Sequence, residues 1–217
     1  MSDSDWSAKP RLIGDIERGD HSHLEGEDRC LFFGEYTSRA GFEHGETNNL
    51  ISNLQKPVSR KGKADYRYKD VAIRKIADAI RKASGKASRG EVILVPAPPS
   101  KPRGHAEYDD RIERIARGVS NEADVRCLLE TVEAREQAKR AEHRPSIDEL
   151  VASMRVATEL IPKDPGGIIL LDDVITNGAT FKAAQRLLRP HFPGVKMVGL
   201  FVARRVIHAI DWGDDDL

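Results

Sequence analysis

The stretch at residues 168–180, with the sequence IILLDDVITNGAT, constrains the fold of this chain more than any other segment. It begins with the apolar run 168–171, continues with Asp172 and Asp173, and then has a short polar loop before a helical pattern. A continuous apolar run of this length is typical of a strand buried on both faces of a parallel sheet. We therefore expect the two acids at the carboxyl end of a strand, where open α/β sheets bind their ligands.

The loop that follows the acids has the composition of an anion-binding site. Its residues are small or carry a hydroxyl or amide group, and they are Thr176, Asn177, Gly178, Ala179 and Thr180. Backbone N–H groups in such a loop, together with the start of a helix near Phe181, can surround a phosphate. Because carboxylates can bind ribose hydroxyls, the sequence predicts a site for a phosphorylated ribose. The alternative is a buried strand that ends in acids and leads into an ordinary capped helix.

The same string resembles the phosphoribosyl pyrophosphate (PRPP) motif of type I phosphoribosyltransferases, which has four apolar residues, two acids, two variable residues and Thr-Thr-Gly-x-Thr. Asn177 stands where the family usually has a second threonine. Its side chain still forms hydrogen bonds and tolerates left-handed turns. The resemblance implies that Asp172 and Asp173 bind the ribose 2′- and 3′-hydroxyls and act in catalysis. It also implies that the loop 176–180 binds the 5′-phosphate.

A second buried strand is predicted at residues 92–95, and the proline-rich segment 96–103, PAPPSKPR, follows it. Proline cannot continue a central strand, so we expect a rigid loop at the carboxyl edge of the sheet. The resemblance implies that this loop binds the pyrophosphate group of PRPP, although a basic surface turn is the alternative. The candidate pyrophosphate-binding residues are Ala97, Pro98, Ser100, Lys101 and Arg103.

Alternating apolar strands and amphipathic helices predict an α/β fold, with a doubly wound and mostly parallel sheet. We expect a flexible N-terminal arm at residues 1–28, which contains His21 and His23, and a small N-terminal hood at residues 29–70. A phosphoribosyltransferase-like core follows at residues 71–210, and an acidic tail at residues 211–217. The hood aromatics either stack on a base or belong to the core; they are Phe32, Phe33, Tyr36 and Phe42.

Residues 131–149 contain almost no large apolar side chains, which predicts either a mobile loop or an exposed charged helix. Phosphoribosyl transfer requires that water be excluded, so the resemblance implies a mobile lid over the site. This segment is the candidate lid, and Arg135 is its candidate catalytic residue. The other side chains available to the lid are Gln137, Lys139, Arg140, His143 and Arg144.

Composition excludes several other classes of protein. Lysine plus arginine and aspartate plus glutamate both number 35, so no overall positive field favours nucleic acid. The two cysteines, Cys30 and Cys127, are far apart, which argues against a disulfide framework or a cysteine zinc site. Neither a membrane-length apolar run nor a signal-peptide core is present, so we expect a cytoplasmic protein without membrane partners.

Further likeness to the ComF-like branch of these proteins extends over about residues 45–205. It is carried by LVPAPPSKPR, by the helix DDRIERIARGV and by the basic segment REQAKRAEHR. ComF-like proteins commonly have an N-terminal cysteine zinc finger, and this chain has none. The role of nucleic acid in its function is therefore left open.

The resemblance implies an enzyme that uses PRPP and Mg²⁺ and displaces pyrophosphate with an unidentified nitrogen nucleophile. Mg²⁺ would be held through the substrate, with Asp172 and Asp173 as possible additional ligands. The alternative is a non-catalytic module that binds PRPP or a nucleotide and acts through a protein or DNA partner, as in ComF-like DNA-uptake proteins. Family members often form dimers, so a homodimer is one option.

Overall fold

The computed structural model describes residues 5–134 and 145–207. The strands are β1 Trp6–Leu12, β2 Cys30–Thr37, β3 Ile93–Pro96, β4 Asp124–Val125, β5 Leu129–Thr131, β6 Met154–Val156, β7 Ile168–Ile175 and β8 Met197–Val206. The α-helices are α1 Asp15–Arg18, α2 Glu46–Leu54, α3 Arg67–Ala83, α4 Gly85–Ser88, α5 Arg111–Arg117, α6 Ile147–Ala152 and α7 Ala179–Leu188. Short 3₁₀ turns occur at Phe42–His44, Val58–Arg60, Ala64–Tyr66, Thr158–Leu160 and Arg189–His191.

Within these residues, a mixed sheet has the strand order β1-β2-β8-β7-β3-β4. Every neighbouring pair is parallel except β1 with β2, which is antiparallel and forms one edge. Strands β5 and β6 form a separate antiparallel pair. The apolar run 168–171 lies at the centre of the large sheet, between β8 and β3. The predicted α/β fold with a mostly parallel sheet is confirmed.

Helices cover both faces of this sheet. On one face, α2, α3 and α5 pack against the sheet, and Ile51, Ile76 and Ile115 are fully buried in the cluster that contains Leu171. The other face is covered by α7 and the N-terminal segment, whose Leu24 is buried in the same cluster as α7. Buried residues recur at helical spacing along α3 and α7, which explains why each helix lies flat on the sheet.

The N-terminal residues differ from the predicted arm and hood. Strand β1 lies within the predicted arm, yet it pairs with β2, and Trp6 stacks on Phe33 at 5.5 Å between ring centroids. Strand β2 lies within the predicted hood, yet it extends the central sheet beside β8. Sheet pairing uses backbone groups that every residue except proline carries in full, so a polar segment can join an edge.

The predicted hood aromatics separate into two kinds. Phe32 and Phe33 are fully buried and Tyr36 is half-buried, whereas Phe42 is 56% exposed. The core interpretation therefore holds for the first two. The predicted lid residues 135–144, including Arg135, and the predicted tail 211–217 lie outside the described residues.

Candidate functional site

The sequence predicts that the strand ends at the two acids. In the structure, β7 continues through them to Ile175. Successive side chains of a strand point to opposite faces of the sheet. Asp173 therefore shares the face of Leu171, towards α2 and α5, whereas Asp172 shares the face of Leu170, towards α7. The two carboxylates consequently lie in different surroundings.

Asp173 is deeply engaged with the protein. Its side chain is 10% exposed, and its Oδ2 accepts hydrogen bonds from Arg111 Nη2 at 2.8 Å and Nε at 3.1 Å. Gln55 Nε2 donates to the same oxygen at 2.6 Å, and Val174 N donates to Oδ1 at 2.7 Å. Burial acts to raise the pKa of Asp173, but Arg111 and Gln55 outweigh it and hold the pKa below its usual value. Asp173 is therefore an ionised, hydrogen-bonded carboxylate.

Asp172 is the more available of the two acids. It is half-buried, and its Oδ1 accepts one hydrogen bond, from the backbone N–H of Asp173 at 2.8 Å. Burial, together with the neighbouring charge of Asp173, raises the pKa of Asp172 to about 7. The adjacent acids therefore have opposite pKa shifts, and Asp172 is the one that changes protonation near neutral pH.

A buried chain of charges extends from Asp173 into the protein, and sequence reasoning missed it. Arg111 also contacts Asp109 at 2.9 Å, and Asp109 accepts a hydrogen bond from Lys69 Nζ at 2.7 Å. The Lys69 side chain is 1% exposed, and its ammonium group also donates to the carbonyls of Leu54 at 2.8 Å and Lys56 at 2.9 Å. Burial lowers the pKa of Lys69, although Asp109 opposes that effect.

A sequence signal for Lys69 does exist. It lies one helical turn before Ile73 and two turns before Ile76, so helical spacing places it on the buried face of α3. A lysine at such a position needs an acidic partner, because an isolated buried ammonium group is strongly disfavoured. The partner, Asp109, cannot be identified from spacing because it lies on the loop before α5.

The predicted phosphate loop has the geometry of a helix start. Gly178 adopts φ +88°, a left-handed conformation that favours glycine, and α7 begins at the next residue. The Asn177 side-chain oxygen accepts a hydrogen bond from Ala179 N at 3.2 Å. The first N–H groups of any helix lack an intrahelical acceptor and favour negative charge, so Thr180 and Phe181 present amides suited to an anion.

Residues 21–24 cover part of this loop, which the prediction of a flexible arm did not anticipate. His23 N donates to the carbonyl of Asn177 at 2.9 Å, and the fully buried His21 donates through Nδ1 to the carbonyl of Thr176. Burial lowers the pKa of His21. Its other ring nitrogen is buried without a hydrogen-bond partner among the described residues.

Leu24 and Lys182 complete the covering contacts. A Cβ atom added to Gly178 would lie 2.9 Å from Leu24 Cδ2, which shows how closely the segment approaches. Lys182 of α7 binds Asp28 at 2.9 Å and Glu25 at 2.7 Å. Gly178 is buried under Leu24 and Ala179 is buried against Leu150 and Met154, whereas Thr176, Asn177 and Thr180 remain half-buried.

The predicted pyrophosphate loop lies beside the acids. Pro96 is opposite Leu171 in the β3–β7 pairing, and Ala97 N donates to Leu171 O at 2.8 Å. The loop forms one wall of a cavity of about 380 Å³, to which Ala97, Pro98, Lys101 and Arg103 contribute and Ser100 does not. The opposite walls come from the loop before α5 and from the β5–β6 pair.

Several contacts fix this cavity. Arg103 donates to Glu113 at 2.8 Å, and its guanidinium lies 5.4 Å from the centre of the Tyr108 ring. Thr131 Oγ1 donates to the carbonyl of Pro99 at 2.6 Å and joins the loop to β5. Cys127 lines the cavity, and burial raises the pKa of its thiol, which keeps it protonated.

The side chains of the candidate site offer few ligands for a Mg²⁺ ion. Among residues 5–134 and 145–207, no cluster of three or more histidine, cysteine, aspartate or glutamate side chains could hold a metal ion. Mg²⁺ is usually held by one or two carboxylates together with substrate phosphates, so a single carboxylate of this site would be enough. Asp172 is the better candidate, because both oxygens of Asp173 already accept hydrogen bonds.

Comparisons with known proteins give no family for this chain: no family model matches it, and no curated protein matches it. None of the helices in the described residues has the length and apolar character needed to cross a membrane.

Proposed function

We propose that this chain is a phosphoribosyltransferase with the type I architecture, which binds PRPP with Mg²⁺ and transfers the phosphoribosyl group to a nitrogen nucleophile. The observation that carries the proposal is the β3–β7 pairing. It brings the start of the proline-rich loop next to Asp172 and Asp173, and the α7 amide groups follow on the same chain segment as the acids. A carboxylate pair between two anion-binding segments fits a ribose with a phosphate on each side.

In this proposal, Asp172 binds a ribose hydroxyl and the start of α7 binds the 5′-phosphate. Lys101 and Arg103 stabilise the negative charge that develops on the departing pyrophosphate, which is the main catalytic requirement when no covalent intermediate forms. The amide contribution of the proline-rich loop comes from Ser100, Lys101 and Arg103. The reason is that Pro98 and Pro99 carry no N–H group and Ala97 N already donates to Leu171 O.

The second candidate function is a non-catalytic module that binds PRPP or a nucleotide and acts through a protein or DNA partner. Two observations favour it. Asp173 is paired with Arg111, and residues 21–24 contact the phosphate loop, so ligand binding requires both contacts to rearrange. Such a rearrangement is a means of signalling to a partner.

The experiment that separates the two functions measures pyrophosphate release from PRPP and Mg²⁺ over a panel of purine, pyrimidine, amine and ammonia acceptors. Thermal unfolding with and without PRPP is measured in parallel. Stabilisation with turnover supports the enzyme, and stabilisation without turnover supports the module. Asp172→Asn combined with Asp173→Asn should abolish both signals. The matched control is Asp78→Asn on the exposed face of α3, which should leave both signals unchanged. Absence of stabilisation by PRPP in the wild-type protein would reject the enzyme and the PRPP-binding form of the module, and the same measurement with a nucleotide tests the remaining form.

A further inference from the structure

Arg111 is shared between two carboxylates at the edge of the candidate site. Its guanidinium donates to Asp173 Oδ2 through Nη2 and Nε, and to Asp109 Oδ2 through Nη1 at 2.9 Å. The Arg111 side chain is 21% exposed, so water and solutes reach part of it. Arg111 thus occupies Oδ2 of Asp173, one of the two oxygens through which this carboxylate could accept a hydrogen bond from a sugar hydroxyl.

Arg111 does not itself line the cavity, but its chain neighbours do. Asp109 and Asp110 before it, and Ile112 after it, all line the cavity wall opposite the loop 97–103. A guanidinium at this position can turn from a carboxylate to a second anion without a change in backbone position, because its long side chain carries five donors in a planar fork. A diphosphate group presents the oxygens that such a fork binds in bidentate fashion.

We infer that Arg111 is a specificity-determining residue, which exchanges Asp173 for the diphosphate group of an incoming sugar phosphate. The inference rests on the proposed function. It makes the release of Asp173 depend on a diphosphate at C1 of the ribose. Ligands that lack this group leave the Arg111–Asp173 ion pair in place, so the Asp173 carboxylate is not released to bind a ribose hydroxyl.

The buried charge chain leaves Asp109 with a cation, and Asp173 with two hydrogen-bond donors, when Arg111 moves. When Arg111 moves, Asp109 keeps its contact with Lys69 at 2.7 Å. Removing the only partner of a buried charge is strongly destabilising, but Asp109 has a second cation and therefore avoids that cost. Asp173 in turn keeps its hydrogen bonds from Gln55 and from Val174 N. Lys69 and Gln55 are positioning residues in this arrangement, since they hold the two carboxylates while Arg111 changes partner.

The test compares the affinities of two ligands, PRPP and ribose 5-phosphate, by isothermal titration calorimetry in Mg²⁺ buffer. The proteins are the wild type, Arg111→Gln, Arg111→Lys and the matched control Arg114→Gln. Arg114 lies on the same helix and pairs with an acid, Asp70, outside the site. We expect the wild type to prefer PRPP, and Arg111→Gln to lower that preference by about tenfold or more, the factor that one lost charge-assisted hydrogen bond gives. Affinity for ribose 5-phosphate should stay equal or rise in Arg111→Gln, because Asp173 is released.

Arg111→Lys keeps the charge and loses the planar fork, so it should lower the preference by a smaller factor and remains informative if Arg111→Gln does not fold. Arg114→Gln should keep the wild-type preference. If the Arg111 variants lose affinity for PRPP and ribose 5-phosphate by the same factor, or keep both affinities unchanged, the inference is overturned. The proposed function is left intact by either result. Failure of the wild type to bind either ligand would instead overturn the proposed function, and this inference with it.

Discussion

The two loops of the candidate site differ in a way that the sequence does not show. The loop 176–180 carries the more specific motif, yet residues 21–24 cover part of it. The loop 97–103 carries a weaker motif, yet it opens onto a cavity of about 380 Å³. A motif identifies the local backbone geometry that a ligand needs. Whether that geometry is accessible depends on residues that are distant in the chain.

Asp109 of the buried charge chain lines the cavity onto which the loop 97–103 opens, and a break in that chain should have the largest effect. Lys69→Met removes the ammonium group from Asp109 and from two backbone carbonyls, and we expect the free energy of unfolding to fall by about 3–5 kcal/mol. Urea denaturation measures this change. Lys75→Met is the control, because its side chain is 42% exposed and its ion pair with Glu46 should contribute at most about 1 kcal/mol. Equal losses in the two variants would show that the chain is not a buried ionic network.

The contact of residues 21–24 with the candidate phosphate loop 176–180 can be weakened by a substitution, and this should lower stability. Leu24→Ala deletes buried methyl groups, and we expect the free energy of unfolding to fall by about 2–3 kcal/mol. Because Leu24 contacts the loop at Gly178, the variant should also bind ribose 5-phosphate more tightly than the wild type. Calorimetry measures the second effect. Leu12→Ala, at a leucine that is 45% exposed, should change neither quantity much. Weaker binding in Leu24→Ala would mean that the segment supports the phosphate site and does not compete with the ligand.

Alanine substitutions at two glycines can separate the effect of backbone strain from the effect of contact with Leu24. Gly178→Ala places a Cβ at φ +88° and against Leu24, whereas Gly62→Ala places one at φ +89° with no atom within 4 Å. The left-handed conformation should cost each variant about 1–2 kcal/mol. Gly178→Ala should lose more than Gly62→Ala in urea denaturation, and the added Leu24→Ala substitution should reduce the difference. A double variant with strictly additive losses would contradict the close contact.

The raised pKa of Asp172 should appear in the pH dependence of stability. The pKa of Asp172 is about 7 in the folded protein, above the value of about 4 in an unfolded chain. Ionisation is therefore less favourable in the folded state, and the stability associated with Asp172 falls as pH rises from about 4 to about 7. Asp172→Asn lacks this titration, so its stability relative to the wild type should increase between pH 4.5 and pH 8. Urea denaturation at several pH values measures the difference. Asp15→Asn, at a side chain that is 99% exposed, is the control, and a constant offset for Asp172→Asn would contradict the raised pKa.

Much of the fold could be predicted because its central elements carry strong local patterns. The apolar runs of β3, β7 and β8 and the helical spacing of α3 are set by residues that are close together in the sequence. Strand β1 and the burial of His21 could not be predicted in this way. Edge pairing uses backbone groups, and the partner of His21 is a carbonyl more than 150 residues away. The same reason explains why Asp172 and Asp173 were expected to be equivalent, since Arg111 reaches only one of them.

The proposed binding of a phosphorylated ribose at Asp172 is tested by calorimetric titration of PRPP with Mg²⁺ into the wild type, Asp172→Asn and Asp15→Asn. We expect saturable binding to the wild type, a loss of at least about tenfold in affinity for Asp172→Asn, and no change for Asp15→Asn. Absence of binding to the folded wild type, or equal affinity in Asp172→Asn, would contradict it.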